Sequence, residues 1–325
     1  MKDFIEVKII SDDNFNGWDR FVENSENGTI FHLQKFLGYH PKERFKSFNL
    51  MFEIKDEVVS VIPGIEKDEE GKIFISHPGA SFGGFVFKNN IGLKQIDLII
   101  KHFIDYLKEN NFKKVMINQA PLPYMGQLYE CIDFLYYSNG FKVVKEELSS
   151  VVHLDFVNEQ DILESLKETT RRGVKKAMKY GIYIKETSKI DNFYSILKKV
   201  LKVKHKVNPT HSFTELKELL NTFPGRIKLF GTFLKDKLIG GVVVFLCNKK
   251  NALIFYNIID EEYQNLRPSN FQIYYVMKWL WENKIEYMDL GISSVNMQIN
   301  IGLFKFKSGF GSQSFVRKQF YKELI

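Results

Sequence analysis

The sequence predicts a mixed α/β (α+β) protein built from two tandem mixed-sheet units packed together, residues 1–150 and 151–325. Three observations carry this. First, 325 residues is about two ordinary domains, and 44% hydrophobic residues with 30 Phe and 15 Tyr can fill sizeable cores. Second, both halves repeat one order of elements: early helices, an antiparallel hairpin with a Lys-Asp turn, a further strand, a helix and a strand. Third, the charge changes sign between them, since residues 1–150 hold 18 basic and 22 acidic side chains and residues 151–325 hold 28 and 17, a net −4 against +11. No Pro/Ser-rich linker separates the halves.

In the first half, residues 15–21 read as helix and 29–32 as irregular. Arms at 48–54 and 58–62 form a hairpin around Lys55-Asp56-Glu57. Residues 72–76 and 115–118 read as strands. The stretch 93–109 predicts an amphipathic helix, with Ile96, Ile99, Ile100, Phe103, Ile104 and Leu107 at helical spacing. A second helix, 128–138, stops at Asn139-Gly140.

The second half opens with a strand at 150–155 and one helix at 162–180, capped by Asp161-x-x-Glu164 and closed by Gly181. Helices follow at 191–206 and 214–222. A long-armed hairpin, 227–234 and 239–247, turns at Lys235-Asp236-Lys237 and leads to a strand at 252–259, a loop, a helix at 270–283 and a strand at 287–290.

Several function classes are excluded or weakened by what the chain holds. Residues 1–14 mix acids and bases without a signal-peptide core, and no stretch is long enough to span a bilayer, so a cytoplasmic location is expected. Cys131 and Cys247 offer neither a disulfide framework nor metal-ligand spacing and read as buried packing residues. His77, His205 and His211 have no partners at metal-ligand spacing, so no metal site is expected. No Walker loop or dinucleotide fingerprint occurs. Gly79-Ala80-Ser81-Phe82-Gly83 formally matches a hydrolase nucleophile elbow, but the β-like residues after it do not supply the helix an elbow needs.

The +11 half directs an anionic partner to residues 151–325. Its helix at 162–180 presents Lys167, Arg171, Arg172, Lys175, Lys176 and Lys179, a face that tracks phosphates or is simply solvated. Arg267, Ser269 and Asn270 stand where a strand gives way to a helix, either to bind phosphate at free N–H groups or to cap an ordinary helix. Asp289, at a strand end, is a candidate base, an orienting group or a turn cap. Tyr256 and Asn257 are polar within an apolar strand, and His77, Ser81 and Gly83 belong to a loop that lines a cleft or only the surface. Near the C-terminus Lys305, Phe306 and Lys307 alternate charge and ring between glycines, a segment read as a ligand loop or an aromatic turn.

Taken in order, these pieces resemble the FemABX-like branch of the GNAT acyltransferase superfamily over nearly the whole chain. The segments are Gly28-Thr29-Ile30-Phe31-His32, Ser76-His77-Pro78 with Gly83-Gly84, Thr170-Arg171-Arg172-Gly173-Val174-Lys175-Lys176-Ala177, Gly240-Gly241, Asp289-Leu290-Gly291, and Gly302-Leu303 through Phe306-Lys307-x-Gly309-Phe310-Gly311. The resemblance implies two GNAT-like units and transfer of an acyl or aminoacyl group to an amine. It puts Lys307 near the reaction centre, Phe306 against the donor and Arg171 on the family's basic helix. Residues 264–270 lack the glycine-rich pattern that holds the pyrophosphate of coenzyme A in ordinary GNAT enzymes, and the chain shows no heptad-rich coiled-coil insertion of the kind some tRNA-dependent members carry.

The expectation is therefore an N-acyltransferase with no tightly bound cofactor, taking acyl-CoA or aminoacyl-tRNA as co-substrate. Residues 151–325 are the donor side, with Lys307 and Asp289 catalytic and Phe306, Lys305, Arg267, Ser269, Asn270 and Arg171 binding the donor. Residues 1–150 are the acceptor side. His77, Ser81, Gly83, Tyr256 and Asn257 contact a nucleotide-sugar or lipid-linked cell-envelope precursor, with peripheral membrane contact and no DNA. The competing expectation is a non-catalytic GNAT-like module that holds tRNA or an anionic glycolipid.

Overall fold

The computed structural model describes residues 5–10 and 15–324, without the side chains of Phe15, Asn16, Lys204 and His205. His205, named above, thus lies outside the described side chains. The chain divides into two compact units, Met1–Leu148 with Phe315–Ile325, and Ser149–Ser314.

Unit 1 contains β1 (Ile5–Ile10), α1 (Phe15–Asn24), β2 (Asn49–Ile54), β3 (Glu57–Ile62), β4 (Ile65–Asp68), β5 (Lys72–Ser76), β6 (Val86–Phe87), α2 (Leu93–Glu109), β7 (Phe112–Asn118) and α3 (Leu128–Ser138). The first hairpin falls where the sequence places it. Lys55 and Asp56 take φ of 51° and 62°, the left-handed pair that matches strand twist in a two-residue turn. A four-stranded antiparallel sheet has the order β1-β2-β3-β6. In a second sheet β5 pairs antiparallel with β4 and parallel with β7. The six apolar residues predicted for α2 are its buried residues, and phenylalanine edges fill the core beneath, with Phe103 centred 5.1 Å from both Phe74 and Phe85.

β8 (Lys142–His153) enters unit 2, where α4 (Glu159–Ser165) and α5 (Glu168–Lys179) follow. The single helix expected at 162–180 is thus two. Leu166 is extended (φ −69°, ψ 139°), and the Lys167 amide bonds to the Gly309 carbonyl at 2.9 Å instead of continuing the helix. The first of the two is capped by Asn158 and boxed by Asp161, so that it starts three residues before the expected start.

Next come β9 (Tyr183–Glu186), α6 (Ile190–Val200), α7 (Phe213–Thr222), β10 (Ile227–Leu234), β11 (Lys237–Leu246), β12 (Asn251–Ile259), α8 (Pro268–Glu282), β13 (Tyr287–Ile292), β14 (Ser294–Val295), β15 (Gln298–Ile299), α9 (Ile301–Ser308) and β16 (Gln313–Glu323). The sheet of unit 2 runs β9-β10-β11-β12-β13-β8. Every pairing is antiparallel except β12 with β13. Between β10 and β11, Lys235 and Asp236 (φ 46° and 62°) repeat the turn of the first hairpin. Val174, Ala177, Phe230, Val242, Val244, Ile254, Met277 and Met288 are among the side chains packed in this unit's core.

Two further expectations change. Residues 315–325, placed by sequence in the second half, belong to unit 1, where Gln319–Glu323 pairs antiparallel with Asn118–Lys114 of β7. The Phe-Lys segment is neither loop nor turn but the helix α9, started by Asn300, whose Oδ1 accepts the Leu303 amide at 3.0 Å. Cys247 is buried as expected, whereas Cys131 is half-exposed because it lies off the buried stripe of α3.

Candidate functional site

The opening in unit 2 is made by one strand pair that separates. β12 and β13 run parallel for three residue pairs only, Asn251–Leu253 against Tyr287–Asp289. Beyond Leu253, β12 continues to Ile259 bonded on its β11 side. Its other edge offers the backbone N–H and C=O groups by which an extended ligand adds to a sheet. The register with β11 jumps between Val243 and Val244, leaving Phe255 unopposed as a bulge next to this edge.

A cleft of about 280 Å³ lies along that edge, lined by Val200, Asn257, Ile258, Ile259, Gln264, Arg267, Ser269, Asn270 and Phe306. Asn257 Oδ1 is buried in its wall without a hydrogen-bond partner among the described residues, an acceptor costly to leave unmet. A second cavity of about 570 Å³ shares Arg267, Asn270 and Phe306 and adds Thr169, Thr170, Arg172, Gly173, Lys176 and Lys305. Four cations therefore border it.

The start of α8 supplies much of this lining. Arg267 holds a left-handed conformation (φ 61°) and precedes Pro268, and no side chain caps the helix. Ser269 and Asn270 lie in its first turn, so the reading of them as caps is corrected. Both line the smaller cleft at the positive end of the helix dipole. Gly173 of α5 lets Asn270 close in, because a Cβ there would meet the Asn270 side chain at 3.0 Å.

α9 brings Phe306 to both cavities and Lys305 to the larger. Lys307, one residue on, turns inward. It is 6% exposed and lines neither cavity; its Nζ donates to the carbonyls of Gly291 at 2.8 Å and Ile292 at 2.6 Å. Asp289 is also buried, and its Oδ1 accepts from Ser149 Oγ at 2.8 Å and from the Gly291 amide at 2.7 Å. Asp289, Gly291 and Lys307 form a chain that fixes α9 to the end of β13. Arg171 lines neither cavity; Arg172 and Lys176, on the cleft-facing side of α5, are the cations the sequence did not single out.

The acceptor candidates fall in different units. Asn257 belongs to the cleft, but Tyr256, on the opposite side of β12, is buried, its hydroxyl 3.2 Å from the His211 amide and 3.3 Å from His211 Nδ1. Burial pushes its phenol up. In unit 1, His77 Nδ1 accepts the Gly79 amide at 3.1 Å. Burial, then the neighbouring His40 and His32, lower its imidazole to about 3. Ser81 is half-buried in the same loop. Gly83 serves packing: its amide bonds Asn118 O at 2.7 Å, and a Cβ would lie 2.6 Å from the His77 nitrogen. No helix follows Ser81, as the rejected hydrolase reading required. Among the described residues no group of acids, histidines or cysteines has metal-binding geometry.

The comparisons place this geometry among known proteins. A family model described as an acetyltransferase (GNAT) domain matches residues 164–308, which include the cleft. The whole chain superposes on the crystal structure of FemX with a TM-score of 0.75 at 14% identity, covering 97% of this chain and 96% of that one. A tandem GNAT protein from the clavulanic acid biosynthesis pathway matches with a TM-score of 0.57 at 10% identity, over 99% of both chains. L-PGS from Bacillus licheniformis matches with a TM-score of 0.56 at 10% identity, over 85% of this chain and 83% of that one. No curated protein matches the chain in sequence.

Proposed function

We propose that the protein, whose residues 164–308 match an acetyltransferase (GNAT) domain model and whose fold is similar to that of FemX, is an acyltransferase that moves an acyl or aminoacyl group from acyl-CoA or aminoacyl-tRNA to an amine of a cell-envelope sugar or peptidoglycan precursor. The observation that carries the reading is the parting of β12 from β13 after three pairs, beside the uncapped start of α8.

In this reading an extended donor arm lies along residues 254–259 and meets Asn257 Oδ1 with an N–H. Its phosphates face the first turn of α8 and Arg267, while Arg172, Lys176 and Lys305 hold further phosphates, and Phe306 packs on the donor between the two cavities. The acceptor amine attacks the carbonyl directly, forming the C–N bond as the thiolate or alkoxide leaves with the proton. No covalent enzyme intermediate is needed, because holding amine and carbonyl together supplies most of the acceleration. Lys307 and Asp289 act in this scheme as positioning residues, since their polar atoms are engaged in fixing α9.

The test is transfer of labelled acyl groups by purified protein from acetyl-CoA and, in a second arm, from aminoacyl-tRNA to a peptidoglycan precursor. One donor is expected to support transfer, and Asn270→Asp, which sets a carboxylate against the donor phosphates, lowers kcat/KM at least about tenfold. Unchanged transfer in that variant contradicts the site.

A further inference from the structure

Residues 290–304, from Leu290 to Phe304, hold no charged side chain, in a protein of which 26% of residues are charged. Within that stretch Ile292, Val295, Met297, Ile299, Ile301 and Leu303 are all exposed, Val295 by 66% and Met297 by 62%. They are not scattered surface residues. β14 and β15 form a separate two-stranded sheet, with Asn296 and Met297 (φ 50° and 62°) at its tip. The Asn300 amide closes the base on Ser293 O at 2.8 Å. Lys307 holds the preceding backbone at Gly291 and Ile292. The hairpin is thus firmly rooted, apolar at its tip and continuous with the exposed residues that open α9.

Cations border this surface. Lys305 is exposed on α9, and Lys167 Nζ reaches Ser308 Oγ of the same helix at 3.3 Å. Arg172 and Lys176 line the cavity that Lys305 lines. An uncharged apolar projection beside a basic rim is the chemistry of a protein that rests on an anionic bilayer, where tip side chains enter the acyl region and lysines meet headgroups. A second copy of the chain is a poorer occupant: the segment spans twelve residues, 292–303, against roughly 20–30 a side in a standard interface.

We propose that residues 292–303 are a membrane-surface contact, seating Val295 and Met297 among lipid chains and Lys167 at anionic headgroups. This stands whichever donor the cleft takes. It is tested by sedimenting the full chain with vesicles of phosphatidylcholine alone and of phosphatidylcholine mixed with phosphatidylglycerol. The wild type is expected to pellet with the anionic vesicles and to be released by high salt. Val295→Asp with Met297→Asp lowers the vesicle partition coefficient about tenfold or more, without moving the thermal midpoint. Val157→Asp, at an apolar residue 86% exposed elsewhere in unit 2, leaves binding unchanged. A Val295→Trp variant reads insertion directly as a blue-shifted emission on adding anionic vesicles. Failure of the wild type to pellet, equal pelleting of the double variant, an equal loss in Val157→Asp, or an unshifted Val295→Trp emission each overturns the proposal. So does a wild-type dimer that the double variant dissolves without any vesicle binding. Transfer activity is assayed separately in solution, so failure here leaves the acyltransferase reading standing.

Discussion

Lys307 shows how far residue type alone carries a site assignment. The sequence marks it as a cation between rings near a reaction centre, which is right for the region and silent on the direction. In a helix, successive side chains stand about 100° apart, so Lys305 and Phe306 reach the cavities while Lys307 points at two backbone carbonyls. Lys307→Met strands both carbonyls and is expected to cost about 2 kcal/mol or more of stability, seen as a lower urea midpoint. If transfer falls while the midpoint holds, Lys307 acts on the reaction itself. Gly83 gives a parallel case in unit 1. Its pairing with Gly84 near His77 suggested a ligand loop, but the close contact is with backbone, so Gly83→Ala is expected to destabilise by about 1–3 kcal/mol. An unchanged midpoint contradicts that packing role. Asn257 was found by a simple signal, an amide inside an apolar strand; Arg172 and Lys176 had no signal separating them from the other cations of α5.

At the scale of elements, periodicity and turn chemistry were enough to place α2, α3 and both hairpins, because those depend on neighbours close in sequence. The break before α5 was not legible, since the Lys167 amide is drawn off by the Gly309 carbonyl, 142 positions away. The parting of β12 and β13 was equally hidden, because strand pairing across a crossover leaves no local pattern. Phe306→Ala tests what that geometry does. Loss of a ring lining both cavities is expected to raise KM for the donor about tenfold with a smaller change in kcat, read from steady-state kinetics; a normal KM contradicts donor contact. Arg172→Glu with Lys176→Glu is expected to weaken donor binding and flatten its salt dependence, measured as affinity against ionic strength.

For the whole molecule, the duplication of element order and the split in charge were visible in the sequence, whereas the return of β16 to unit 1 was not, because pairing with a strand so distant in sequence leaves no local pattern. Acid stability follows from unit 1. Burial lowers His32 from 6.5 to about 4, and burial with His40 and His32 lowers His77 from 6.5 to about 3. Above pH 6.5 folded and unfolded chains both carry neutral imidazoles there, and the stability is fully present. As pH falls below 6.5 the unfolded chain takes up protons that the folded unit refuses, so stability is lost at up to about 1.4 kcal/mol per pH unit for each histidine. Urea midpoints measured from pH 7 to pH 4 are expected to fall steadily; a flat profile contradicts neutral burial of these side chains.

In the proposed mechanism the donor lies where β12 leaves β13. Hydrogen–deuterium exchange of the intact protein, with and without acetyl-CoA or aminoacyl-tRNA, tests it most directly. One of these donors is expected to slow exchange at residues 254–259, at the first turn of α8 and in α9. If a donor binds and protects other segments while these exchange as before, the cleft is not the donor site.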